Sequence, residues 1–294
     1  MPVTYILRIT VSILLLGTLL AGIPPVQAAR DIPDDNLAYP VLITLDSGDS
    51  ASGFYLNTHR YTYFVTAQHV LFNTVHRTLK SRNARLLSYP RDRSDDGRVL
   101  IHLDLKTLFE KGNLRLHDSQ DAVLIRIAAI SETEGRNLLE FMSGVKVVEA
   151  APSGILAVDM STVKTFDDVM VANEVFIFGY PTSLGIKEIP QIDYLKPLLR
   201  KGIVAGKNEV KKTIILDCPI YPGNSGGPVL EVDRVEPFRV SFRVIGMVTQ
   251  FVPFAEKWVS QPHGYSNLSI SNSGYSIVIP MDVVFELLED DMAE

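Results

Sequence analysis

The chain has 294 residues, with 28 Lys plus Arg against 34 Asp plus Glu for a formal net charge of −6, 46% apolar residues, 17 Pro, 19 Gly and one Cys. An ordinary apolar fraction with 21% charged residues excludes disordered and collagen-like chains and allows one large domain or two small ones. The acidic balance argues against nucleic acid as a partner. A lone cysteine, Cys218, excludes an intramolecular disulfide framework and a four-cysteine zinc site.

Residues 1–28 read as a signal peptide. Arg8 is the only charge, Ile9 to Ile23 is an apolar run, Pro24-Pro25 breaks it, and Val26-Gln27-Ala28 offers the small-residue pattern for cleavage after Ala28. The run is shorter than the roughly 20 apolar residues a membrane helix needs, with an uncleaved anchor as the alternative. The mature chain, 29–294, is expected to be exported, periplasmic or secreted, and free of the membrane.

Beyond the leader, short runs rich in Val, Ile, Tyr and Phe are bounded by turn residues, which is the strand pattern. In order these are Val41–Leu45, Gly53–Leu56, Tyr61–Thr66, Ala122–Ile127, Glu174–Phe178, Thr213–Leu216, Val240–Val248 and Ser276–Ile279. The second and third flank Asn57 to Arg60 and predict a hairpin. Met281, Val284, Phe285 and Leu288 follow Pro280 at helical spacing and predict a helix over about 281–289. A weaker helix is expected from Glu134 to Met142. The pattern as a whole predicts an all-β barrel or sandwich, with two excursions. Residues 77–98 hold seven basic residues, Arg77, Lys80, Arg82, Arg85, Arg91, Arg93 and Arg98, and read as a solvated loop or as a surface for an acidic partner. Residues 128–170 mix signals and read as a connector.

Three motifs carry chemistry. In Tyr221-Pro222-Gly223-Asn224-Ser225-Gly226-Gly227-Pro228, glycines around one serine let peptide N–H groups converge beside the hydroxyl, which is how an oxyanion hole is built. A serine hydroxyl needs a base, and His69 stands at the end of the strand Tyr61–Thr66. The imidazole needs a carboxylate to set its tautomer, and Asp121 precedes Ala122-Val123-Leu124-Ile125, with Asp118 three positions away. The serine motif also satisfies the G-x-S-x-G elbow of α/β-hydrolases. That fold requires a helix after the serine, which Gly226-Gly227-Pro228 opposes, and a later histidine, of which only His263 is present.

The order His69, Asp121, Ser225 resembles that of the chymotrypsin-like serine peptidases, and the chain is most similar to the protease domain of the bacterial HtrA (DegP-like) group. The likeness rests on Thr66-Ala67-Gln68-His69-Val70, Asp121-Ala122-Val123-Leu124 and Gly223-Asn224-Ser225-Gly226-Gly227-Pro228. It extends to Ser52-Gly53-Phe54, Phe178-Gly179-Tyr180-Pro181, Lys201-Gly202-Ile203-Val204 and Val244-Ile245-Gly246-Met247-Val248.

The resemblance implies two six-stranded antiparallel β-barrels, at about 38–130 and 171–280, joined by a connector at about 131–170. It implies catalysis by His69, Asp121 and Ser225, an oxyanion hole from the N–H groups of Gly223 and Ser225, and neither metal nor cofactor. The family's primary specificity pocket has its floor six residues before the nucleophile, at Pro219, beside Cys218. Thr249, Gln250 and Phe251 are expected to pair with substrate backbone and line that pocket. No acidic residue stands at the floor, so apolar side chains of small or medium size are the expected preference. The expected function is a serine endopeptidase acting on protein or peptide substrates. The alternative is a chaperone-like or binding module with the site closed or unused. The mature chain is too short for an added PDZ domain, so the peptide-sensing behaviour of HtrA proteins is not expected.

Overall fold

The computed structural model describes residues 38–90, 97–133, 136–152, 154–181, 189–236 and 239–292. The predicted leader lies outside them. The first half carries β1 (Pro40–Leu45), β2 (Ser50–Asn57), β3 (Tyr61–Thr66), the one-turn helix α1 (Gln68–Leu71), the short pair β4 (Phe72–Asn73) and β5 (Thr78–Leu79), β6 (Asn83–Ser88) and β7 (Val99–Asp104). There follow α2 (Leu105–Glu110), β8 (Leu114–Leu116), β9 (Val123–Thr133), β10 (Arg136–Phe141), β11 (Val145–Glu149) and β12 (Ala157–Asp159). The second half holds β13 (Glu174–Gly179), β14 (Leu198–Asn208), β15 (Thr213–Asp217), β16 (Pro228–Glu236), β17 (Arg239–Ser260), β18 (Tyr265–Pro280) and the helix α3 (Met281–Met292).

In the first half the order is β10-β9-β3-β2-β1-β6-β7-β11, with β8 on β9 and β12 parallel to β2, a ten-stranded curled sheet. It encloses Val41, Ile43, Tyr55, Phe64, Leu86 and Ile125. The β2–β3 hairpin forms as its spacing predicts, and Thr58 closes it: its backbone N–H donates to the Tyr61 carbonyl and its hydroxyl accepts the Tyr61 N–H. In the second half β13-β14-β15-β18-β17-β16 close a six-stranded barrel around Val175, Ile177, Leu216, Val229, Ile245 and Val278. Period-2 apolar positions face inward in both.

Closure is seen in the second barrel; in the curled sheet of the first half the outermost strands, β10 and β11, do not pair with each other among the described residues. Two expectations are corrected. The expected helix Glu134–Met142 is instead strand β10 across Arg136–Phe141, paired residue for residue with Ala128–Thr133. Leu138, Leu139 and Phe141 suit either period, and a neighbouring ladder decides between them. The segment 77–98 is not an excursion, since Asn83–Ser88 is β6 and buries Ala84 and Leu86 in the first core. Three of its arginines are paired with acids, Arg77 with Asp118, Arg82 with Asp104 and Arg98 with Glu149, as expected of a solvated face. Residues 91–96 lie outside the described residues. The region read as a connector supplies β10, β11 and β12 to the first sheet.

Helix α3 follows the last barrel strand and returns to the first sheet. Its pattern buries Met281, Val283, Val284, Leu287 and Leu288. Asp291, almost wholly buried, accepts from the Tyr63 hydroxyl at 2.6 Å and from Arg126 Nε at 3.1 Å, with Arg115 Nε at 2.9 Å. Burial, and then the carboxylate at its hydroxyl, raise the pKa of the Tyr63 phenol far above its usual range. The two halves are thereby tied together by one buried charge cluster.

Candidate active site

Each of the three motif residues stands where an element ends. His69 is in the single turn α1, directly after β3, and Ala67 caps that turn with extended backbone and no side-chain bond. The missing cap comes from Asp121, whose Oδ1 accepts the His69 backbone N–H at 2.9 Å while Oδ2 meets His69 Nδ1 at 2.7 Å. One carboxylate thus fixes both the backbone and the ring of the histidine. A proton on Nδ1 facing Asp121 leaves Nε2 as the acceptor.

Asp121 is itself held by the loop between β8 and β9. The His117 backbone N–H donates to the Ala122 carbonyl at 3.0 Å, and His117 Nδ1 accepts the N–H groups of Ser119 and Gln120 at 3.2 and 3.0 Å. His117 Nε2 lies 2.8 Å from Glu286 Oε2 of α3, which suits the tautomer with its proton on Nε2. Sequence reasoning gave His117 no role.

Ser225 sits between β15 and β16 in a loop shaped by Gly223 at φ 96° and Gly226 at φ 83°. A Cβ on Gly226 would collide with the Ser52 carbonyl and the Thr66 hydroxyl, so both its conformation and its surroundings require glycine. The Asn224 N–H donates to Tyr221, the Gly226 N–H to Val248 and the Gly227 N–H to Asn224. The N–H groups of Gly223 and Ser225 have no acceptor among the described residues. Two donors of this loop therefore stay open while the peptides around them are tied down. Ser225 Oγ donates to the Thr249 carbonyl at 3.3 Å, a long bond, and no bond joins it to His69 among the described residues.

Ser52 fastens this loop to the first sheet. Fully buried, its hydroxyl donates to the Gly223 carbonyl at 2.7 Å and accepts the Tyr180 N–H at 2.9 Å, while its own N–H donates to the Ser225 carbonyl at 2.9 Å. The Thr66 hydroxyl in turn donates to the Ser52 carbonyl at 2.8 Å. Ser52 belongs to a motif that drew attention, yet its bonds to residues more than a hundred positions away are invisible in sequence.

His69 and Ser225 line one cleft of about 320 Å³ together with Gly223, Thr249, Gln250 and Phe251. Pro219 is not among the lining residues; Ile220, Tyr221 and Pro222 form that wall. Lys80, also on the rim, donates from Nζ to the His69 carbonyl at 2.6 Å. Cys218 is wholly buried in the core of the second barrel rather than at the cleft, and burial pushes its thiol up to about 11, which makes it an inert packing residue. Among the described residues no group of His, Cys, Asp and Glu could hold a metal ion.

A His–Asp pair beside a serine on a glycine-rich loop, in a cleft between a curled β-sheet and a β-barrel, defines a trypsin-like architecture. Residues 51–235, more than half of the chain, match the family described as trypsin-like peptidase domain, and the chain belongs to that family. Among solved structures it is similar to Deg5, with 18% identity over 87% of this chain and 95% of that one at a TM-score of 0.46. It is also similar to the serine endoprotease from Yersinia pestis, with 13% identity, 88% and 66% coverage and a TM-score of 0.43. A third is the HtrA-type protease AlgW with tripeptide, at 15% identity, 86% and 59% coverage and a TM-score of 0.43. The chain thus spans about two thirds or less of the length of the latter two. A comparison with curated proteins finds no match.

Proposed function

We propose that the chain is a serine endopeptidase acting outside the cytoplasm, hydrolysing peptide bonds through an acyl-enzyme. Ser225 Oγ attacks the scissile carbonyl while His69 Nε2 takes its proton and later returns it to the leaving amine. Asp121 keeps the imidazole in the required tautomer and stabilises its cation, and the N–H groups of Gly223 and Ser225 receive the oxyanion. The observation that carries this reading is the double bond set of Asp121 to the ring and backbone of His69. A carboxylate spent on both is more than a turn cap needs. Placement outside the cytoplasm rests on the leader pattern in residues 1–28, and an apolar preference on Ile220 and Phe251 in the cleft wall.

For attack, the Ser225 hydroxyl exchanges its bond to Thr249 for one to His69, a rotation about χ1 between staggered positions. A second reading takes that bond as permanent: Ser225 stays on Thr249 and the cleft binds polypeptide without cutting it. A fluorophosphonate probe separates the two, because it labels only an activated serine. The proposal predicts labelling that Ser225→Ala abolishes; an unlabelled wild type that is folded supports the binding module and refutes the peptidase.

A further inference from the structure

Strand β17 runs for 22 residues, far beyond the barrel it helps to close. Up to Met247 one edge pairs with β16, and from Gly246 onward the other pairs with β18. β16 begins at Pro228, so beyond Met247 that edge meets only the Ser225 loop: Gly226 N–H to the Val248 carbonyl, Val248 N–H to Gly227, and Ser225 Oγ to the Thr249 carbonyl. From Gln250 to Ser260 no strand pairs with this edge among the described residues. The other edge stays paired with β18 from Pro253↔Asn272 to Ser260↔Tyr265, so the two strands leave the barrel as a ribbon. Its direction is set at the base, where Asn272 Nδ2 donates to the Ile220 carbonyl at 2.6 Å and the Ser273 hydroxyl to Val252 at 2.7 Å.

The ribbon is apolar where water meets it. By register Phe254 and Trp258 share one face, and Val259, Leu268 and Ile270 the other; their exposure runs from 52% to 64%. Between Val252 and Tyr275 the sequence carries one carboxylate, Glu256, and one ammonium, Lys257. Long edges are ordinarily blunted by charge, proline, bulges or shortness; this one has Pro253 and a register shift at its base, but beyond them it is long and its single opposite charges, Glu256 and Lys257, cancel. An open ladder flanked by apolar side chains fits an added extended strand.

We propose that the free edge of β17 beyond the expected pairing residues Thr249, Gln250 and Phe251, from Val252 to Ser260, is a docking strand for an extended, uncharged, apolar segment of the polypeptide substrate, well to the amino side of the bond cleaved. The inference rests on the peptidase reading of the cleft. His69 must face the leaving amine, so the acyl side of the substrate lies over Thr249, Gln250 and Phe251, and these are residues of β17 itself. Continuing along the same edge costs no turn and covers about 30 Å at roughly 3.3 Å per residue. A near-neutral ribbon selects against charged segments by offering them no partner.

Trp258 is the only tryptophan of the chain and lies near the tip of the ribbon, so its emission reports occupancy. The full chain carrying Ser225→Ala is titrated with two uncharged apolar peptides of about four and about twelve residues that share the carboxyl-terminal residues. The longer peptide is expected to bind at least about tenfold tighter and to move Trp258 emission to shorter wavelength, and N-methylation of its alternate amides removes the gain. Phe254→Ser and Leu268→Ser also remove it, while the same changes made with Ser225 present keep the wild-type rate of fluorophosphonate labelling, which shows that the fold and the cleft are intact. Equal affinity for both peptides, or an unmoved Trp258, overturns the proposal. Emission that shifts with protein concentration alone, together with dimers in sedimentation, assigns the edge to a second copy and overturns it as well. If the wild type takes no fluorophosphonate but the length gain is present, the peptidase reading falls and the docking strand stands.

Discussion

Ser52→Ala removes one oxygen from the junction between the two halves of the molecule. Its hydroxyl is the donor to the Gly223 carbonyl and the acceptor of the Tyr180 N–H, at 2.7 and 2.9 Å, with the side chain fully buried. Neither partner gains access to water on truncation, so each is left unsatisfied at about 1–3 kcal/mol. Partial relaxation sets the expected loss of stability at about 2–4 kcal/mol, read by urea unfolding at constant m-value. The peptide whose carbonyl is freed joins Gly223 to Asn224, between the two open donors, and its N–H remains tied to Tyr221. Loosening rather than loss of a donor should slow fluorophosphonate labelling by about tenfold, less than the 10²–10³ of a deleted oxyanion donor. The backbone bond from Ser52 N–H to Ser225 survives the substitution, so the protein should still fold. A variant with unchanged stability and unchanged labelling refutes the argument that this hydroxyl positions the loop.

Three further outcomes follow from the same bonds. Asp121→Asn keeps the size of the side chain but withdraws the charge and permits the wrong tautomer of His69, so labelling should fall by up to about 10⁴; an undiminished rate removes Asp121 as the group that orients His69. Asp291→Ala strands Arg115 and Arg126 in a largely buried site and leaves the Tyr63 hydroxyl without its acceptor, which should cost about 3–5 kcal/mol; a midpoint of urea unfolding equal to wild type contradicts the cluster as a clamp. Cys218, its thiol raised to about 11 by burial, is neutral below its unfolded value and stabilised in that form until pH approaches the folded one. It should resist a thiol reagent at pH 8 and react once urea unfolds the chain, whereas immediate labelling of native protein refutes its burial.

Much of the candidate site is legible in sequence because chemistry imposes local spacing. Gly223-Asn224-Ser225-Gly226-Gly227 announces its bend through residues that tolerate positive φ. His69 follows and Asp121 precedes an apolar run with the strand pattern. Short β runs bounded by turn residues identify the fold class for the same reason, and the spacing after Pro280 identifies α3, although Asp291, its most consequential residue, looks like an ordinary terminal charge.

Other features depend on which strands meet. Arg136–Phe141 has no decisive period and becomes a strand because β9 offers it a ladder. Asn83–Ser88, inside a stretch basic enough to pass for a loop, turns Ala84 and Leu86 inward once β1 and β7 flank it. Counting back from Ser225 selects Pro219, but the path of the chain puts Ile220 in the cleft and Cys218 in the barrel. Ser52, His117 and the free edge of β17 gain their meaning only from partners far along the chain.

Sequence by itself determined the β class, the terminal helix and the motifs that carry His69, Asp121 and Ser225, since these follow from periodicity, backbone tolerance and the reactivity of single side chains. Tertiary structure decided the open first sheet, the bonds of Ser52 and Asp291 between the two halves, the wall of the cleft and the exposed ribbon. Those depend on distances between segments with no short-range signature, because packing and strand pairing join residues without regard to their separation in sequence.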